Sequence, residues 1–210
     1  MKRILFGFLL FVAACSPVPP SSPSVDAFAT ASTVPYLSDL YACADASSVI
    51  LNITPFAPQI QIRLGELDGW TGAAYQIGTE DVLVAASAQS PLPSLTSERA
   101  RELFAGRGDP SVQVWAYASS VDAQRAFESA LMDGRSVASL ARLAVSPSQM
   151  VQALTSDARA VGILPRRWMT EGLRELYLAA AVPVLALTPS EPAGAVRELV
   201  ACMQKRFSSP

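Results

Sequence analysis

Apolar residues recur along this chain at two periods, and the two alternate. Gln59 to Leu64 shows the shorter one, with Ile60, Ile62 and Leu64 on one face and Gln61 and Arg63 on the other, which predicts a strand. Val49–Ile53, Tyr75–Ile77, Asp81–Ala86, Val112–Ala118, Ala160–Leu164 and Val182–Thr188 predict further strands, with Gly78-Thr79 read as a turn between the second and third of these. The longer period appears in Tyr36–Ala46, where Leu37, Leu40, Tyr41 and Ala44 share a face. It returns near the C-terminus in Val196, Leu199, Val200, Met203 and Phe207. Thr96 is placed to cap a helix carrying Ala100, Leu103 and Phe104, which Gly106 ends. Asp122–Met132 predicts a helix with Phe127, Ala130 and Leu131 inward. Ser146-Pro147-Ser148-Gln149 combines a cap, a proline at the first helical position and a glutamine that reaches back as in a capping box. Helices alternating with strands predict an α/β protein with mostly parallel sheets.

The first residues follow neither period. Lys2 and Arg3 precede an unbroken apolar run from Ile4 to Ala14, too short for a bilayer span, which needs about 20 residues. It fits the hydrophobic region of a secretory signal. Val12-Ala13-Ala14-Cys15 resembles a bacterial lipobox, which implies a signal peptide over 1–14 and a mature chain that starts at lipidated Cys15 on the extracytoplasmic face of the membrane, in the periplasm where an outer membrane exists. Residues 15–35 hold Pro17, Pro19, Pro20, Pro23 and Pro35 among many Ser, Thr and Ala residues, and they are expected to form an extended or disordered tether.

Half of the 210 residues are apolar and 16% are charged, so the chain can bury a sizeable core. A net charge of −2 gives no footprint for nucleic acid. Histidine is absent, which excludes an imidazole base and any His-ligated metal. The three cysteines are too far apart for a Cys-x-x-Cys motif. No phosphate-binding glycine loop, nucleophile elbow or metal-ligand cluster occurs, so no enzyme chemistry and no cofactor is expected. With Cys15 lipidated, Cys43 and Cys202 remain as a pair on two amphipathic helices in an oxidising compartment. A disulfide is expected between them, with two buried free thiols as the alternative.

Five segments, in order, resemble the phosphate-type periplasmic solute-binding proteins. Leu95-Thr96-Ser97-Glu98 through Phe104-Ala105-Gly106 is similar to an "L-T-x-E-x-L-x-x-I-F-x-G" stretch. Gly78-Thr79-Glu80-Asp81-Val82-Leu83-Val84-Ala85 resembles the strand that enters the hinge, and Asp122–Phe127 a helix that follows "S-G-T". Ala160-Val161-Gly162-Ile163-Leu164-Pro165 and Val182-Pro183-Val184-Leu185-Ala186 complete the set. The resemblance covers about residues 36–207. It implies a two-lobed, type 2 periplasmic-binding-protein fold with two hinge-crossing strands, residues 36–86 plus 182–210 in lobe one and 87–181 in lobe two. It also implies a small-molecule ligand, anionic in the family, held at helix N-termini and handed to an ABC transporter permease. Candidate ligand-binding residues are Ser119 and Ser120, Ser146 and Ser148, and Gly65 in a loop from lobe one.

At one place the chain departs from the family. Val121-Asp122-Ala123 stands where the family has S-G-T, so two hydroxyls are lost and a carboxylate stands at the helix start. Asp122 reads as an N-cap that uses the donors an oxyanion needs. Phosphate is therefore expected to bind weakly or not at all, and a non-transport lipoprotein that uses the fold as a sensor or interaction module is the alternative function. Trp70, Trp115 and Trp168 read as packing residues, Arg166-Arg167 as a solvated turn or an anion or transporter contact, and Glu66 and Asp68 as a solvated turn.

Overall fold

The computed structural model describes residues 22–208. The proposed signal peptide and Cys15 lie outside the described residues. Eight strands form one sheet in the order β2-β1-β3-β8-β4-β7-β5-β6, with β1 Ser24–Ala29, β2 Ile50–Ile53, β3 Ile60–Leu64, β4 Ala73–Ser87, β5 Gln113–Ala116, β6 Arg142–Leu143, β7 Ala160–Pro165 and β8 Leu173–Thr188. Among the described residues five α-helices cover it: α1 Leu37–Ala46, α2 Ser97–Phe104, α3 Asp122–Leu131, α4 Pro147–Ser156 and α5 Gly194–Ser208.

Two long strands make this sheet into two lobes. β4 and β8 pair antiparallel along their whole length, from Ala73↔Thr188 to Ser87↔Leu173. At one end β8 also pairs with β3, from Gln61↔Leu187 to Leu64↔Val184. At the other end β4 pairs with β7, from Val82↔Pro165 to Ala86↔Val161. Lobe one therefore gathers β1–β3 with α1 and α5, and lobe two gathers β5–β7 with α2–α4. Within the lobes the remaining pairings, β1 with β2 and β3, and β5 with β6 and β7, are parallel. The expectation of mostly parallel sheets holds inside each lobe and fails at the hinge strands.

Three local expectations are corrected. Residues 24–35 are not a tether: Val25, Ala27 and Ala29 are buried on one face of β1, and Ala31–Tyr36 is a 3-10 turn. This short alternation, paired on both sides, outweighs the Ser/Pro-rich composition around it, and lobe one begins before residue 36. Gly78-Thr79 is not a turn: β4 runs through it with a register shift between Gln76 and Gly78. The strand expected from Val182 begins at Leu173.

The helix ends behave as their residues dictate. The Thr96 hydroxyl accepts from the Arg99 N–H at 3.3 Å, and Gly106 closes α2 at φ +76°. Ser146 Oγ accepts from the Gln149 N–H at 3.3 Å. The Gln149 side chain reaches back one residue beyond the cap, accepting from the Val145 N–H at 2.7 Å. In lobe one, Cys43 and Cys202 form a disulfide, with Cα atoms 5.8 Å apart, that joins α1 to α5.

Candidate functional site: the seam between the lobes

The carboxylate that the sequence places at a helix start lies where the two lobes meet. Val121 is the N-cap of α3 and makes no side-chain cap bond; Asp122 is the first helical residue. The expectation that Asp122 caps its own helix is corrected, because its oxygens turn mainly to lobe one. Oδ2 accepts the Thr30 hydroxyl at 2.6 Å and the Leu64 N–H at 2.9 Å, and Oδ1 accepts the Ala123 N–H at 3.0 Å. The residue is 4% exposed. Burying a carboxylate is costly unless it is paired and hydrogen-bonded, and these three donors together with the α3 N-terminus supply what it needs.

Each donor is fixed by its own element. The turn after β1 brings Thr30 to the seam; its N–H donates to Ile62 O at 3.0 Å, and the Thr33 hydroxyl donates to the same oxygen at 2.8 Å. β3 ends at Leu64, and the chain turns at Gly65, whose φ of +66° favours glycine. The Gly65 N–H donates to Pro183 O at 2.8 Å, which fixes this end of β3 against β8.

Among the described residues three buried side-chain atoms have no hydrogen-bond partner: Ser32 Oγ, Arg63 Nε and Tyr117 Oη. Ser32 belongs to the turn that presents Thr30. Burial and then the like charge of Arg125 hold the Arg63 guanidinium below its ordinary value, against the opposing charges of Asp122 and Asp68. Burial, and after it the charge of Asp122, pushes the Tyr117 phenol up. Both side chains therefore feel the Asp122 carboxylate, and they come from opposite lobes.

A second set of contacts joins the lobes near the hinge strands. The Arg167 guanidinium lies 4.0 Å from the centre of the Tyr36 ring and 4.9 Å from that of Phe207, and it pairs with Asp39 at 2.9 Å. The Arg167 main-chain N–H donates to Glu80 Oε1 at 3.0 Å, while the Tyr36 hydroxyl donates to Glu80 Oε2 at 2.6 Å. Burial, followed by that bond to Glu80, pushes the Tyr36 phenol up. Trp168 Nε1–H donates to Ser32 O at 2.9 Å. Arg166 pairs with Asp81 and Glu175, each at 2.8 Å. The Arg166-Arg167 turn is thus ion-paired on both residues.

None of the residues expected from the sequence donates to Asp122. Ser119 and Ser120 are exposed in the turn before α3; Ser146 caps α4 and Ser148 is exposed in its first turn. These two turns follow the adjacent parallel strands β5 and β6 at the same end of the sheet. The contacts at Asp122 come from Thr30, Leu64 and Ala123, not from these serines or Gly65. Reading from the sequence missed Thr30, Ser32 and Thr33. The available signal was the Val25-Ala27-Ala29 alternation running into a Thr-Ala-Ser-Thr cluster just before an amphipathic helix. Glu66 and Asp68 are exposed, as expected, and with Gly69 and Trp70 line a separate cavity of about 380 Å³. Among the described residues no cluster of three His, Cys, Asp or Glu side chains is arranged to hold a metal ion, and no helix is long and apolar enough to cross a membrane.

No family model matches the sequence, and no curated protein matches it. Solved structures do. One assigned as a phosphate ABC transporter substrate-binding protein with bound phosphate, from Clostridium perfringens, superposes with a TM-score of 0.76 at 10% identity, covering 86% of this chain and 92% of that one. An ABC-type phosphate transport receptor from Vibrio cholerae gives 0.61 at 14% identity, covering 85% and 93%. The effector domain of the transcriptional regulator AmpR of Pseudomonas aeruginosa gives 0.59 at 13%, covering 89% and 96%. At such identities the likeness speaks for the fold alone, and with the hinge strands it settles that point: the chain has a two-lobed α/β fold of the periplasmic-binding-protein type.

Proposed function

We propose that the protein is an extracytoplasmic solute-binding lipoprotein, attached through lipid on Cys15, that takes a small polar solute between its lobes and presents it to an ABC importer. One observation carries the solute-binding part: Arg63 Nε and Tyr117 Oη are buried, unpartnered, drawn from opposite lobes and both acted on by the Asp122 charge, and Ser32 Oγ is a third such atom in the turn that presents Thr30. A buried polar group without a partner costs about 1–3 kcal/mol, so these groups favour a ligand that satisfies them. The Arg63 Nε–H only donates, the two hydroxyls donate or accept, and Asp122 repels negative charge, so the reading is an uncharged polar solute with at least one acceptor oxygen. The lipobox supports the anchor, and the two phosphate-transport neighbours support the importer. Ser119, Ser120, Ser146, Ser148 and Gly65 are kept as residues of the surrounding loops that such a solute would meet.

Calorimetry of the full-length protein against sugars, polyols, amino acids and inorganic phosphate tests the reading. Saturable binding of a neutral solute, weakened in Tyr117→Phe and Ser32→Ala, supports it; silence across the panel with the fold intact overturns it. A second reading, a sensor or interaction module that carries no solute, is favoured by the bonds of Asp122 and Trp168, which join the lobes directly.

A further inference from the structure

We infer that the Asp122 carboxylate is a built-in ligand: it fills an oxyanion site assembled from both lobes, and its removal opens that site to a free oxyanion of the carboxylate or phosphate class. The inference goes beyond the solute reading and does not depend on it, since it concerns the donors that Asp122 already holds.

The geometry is that of a bound anion. Donors from two lobes converge on one carboxylate, Thr30 at 2.6 Å and the Leu64 N–H at 2.9 Å from lobe one, and the Ala123 N–H at 3.0 Å from the start of the ten-residue helix α3. A backbone N–H from a strand end, a backbone N–H from a helix N-terminus and a threonine hydroxyl are the groups that hold free oxyanions in proteins. A carboxylate that only finished its own helix would not need donors 58 and 92 residues away.

The electrostatics agree. The charges that act on Arg63 are those of Arg125, Asp122 and Asp68. Without Asp122, the guanidinium charges of Arg63 and Arg125 are set against the Asp68 carboxylate alone, and the balance turns positive. Tyr117, 2% exposed and with an unpartnered hydroxyl, also feels the Asp122 charge. The wild-type seam therefore excludes phosphate by occupancy as well as by charge.

Chemical rescue tests this. Full-length wild type, Asp122→Ala, Asp122→Ser and Asp122→Asn are titrated with sodium formate and with inorganic phosphate, by calorimetry and by thermal shift at constant ionic strength. With two charge-assisted bonds transferred to the added anion, Asp122→Ala is expected to bind formate about 100-fold more tightly than wild type. Its melting temperature then rises with anion concentration. Asp122→Asn, which fills the same space, responds no more than wild type. Should Asp122→Ala be unfolded in plain buffer, formate or phosphate is expected to restore its folding, and Asp122→Ser, with its shorter acceptor, is read in the same way. Absence of any anion-specific response in both the Ala and Ser variants overturns the inference, as does equal binding by wild type.

Discussion

Opening the Cys43–Cys202 disulfide is expected to cost lobe one more stability than any single contact within it. The bridge closes a loop with a sequence separation of 159 and ties α1 to α5. On the chain-entropy model, a loop of that length restricts the unfolded chain by about 5 kcal/mol at 25 °C. For a domain of this size, each kcal/mol moves the melting temperature by roughly 2–4 °C, so reduction is expected to lower it by about 10–20 °C. Native packing is expected to survive the change, because Leu40, Leu199, Met203 and Cys43 are all fully buried in the core. The loss therefore belongs to the unfolded chain. Calorimetric melts of the oxidised protein, of the protein after reduction under denaturing conditions and refolding, and of a Cys43→Ala/Cys202→Ala variant read the effect. A fall of less than about 3 °C in both would refute the loop-closure argument, because the model that gives 5 kcal/mol then fails for this chain.

Three further outcomes are expected. Arg167→Ala removes the ion pair with Asp39 and the stack on Tyr36 and Phe207, and should lower stability in urea by about 1–2 kcal/mol; a neutral result would show that the clasp adds nothing to lobe closure. Gly72→Ala should cost about 1–3 kcal/mol by overpacking, because a Cβ there would fall 2.1 Å from the main-chain oxygen of Thr188; an unchanged urea midpoint would contradict this. Cys15→Ala should abolish metabolic lipid labelling and membrane retention, and labelling that persists would remove the lipobox from the account.

How much of this was legible beforehand depended on whether the cause was local. The caps at Thr96 and Ser146, the alternation of Gln59–Leu64 and the positive-φ stop at Gly106 depend on neighbours a few residues away, and the structure has all of them. The Cys43–Cys202 pair followed from counting cysteines. β1 was hidden because only three small or β-branched residues, Val25, Ala27 and Ala29, mark it within a Ser- and Pro-rich stretch. The first half of β8 was hidden for a different reason: Arg174 and Glu175 interrupt its apolar pattern, and its place is set by pairing with β4. The role of Asp122 could be read only in part. That a carboxylate at a helix start would use up anion donors was visible in Val121-Asp122-Ala123, but its partners Thr30 and Leu64 are remote in sequence and meet it only through the fold.

The Asp122 carboxylate joins the two lobes directly. The most direct measurement is the inter-lobe distance distribution from spin labels at two exposed positions, Phe56 in lobe one and Gln152 in lobe two, by pulsed electron resonance with no ligand added. The account predicts a single narrow distribution in wild type that phosphate leaves unchanged, and a longer, broader one in Asp122→Ala that formate or phosphate draws back. A wild-type distribution that is already broad, or an Asp122→Ala distribution that matches wild type, would contradict it.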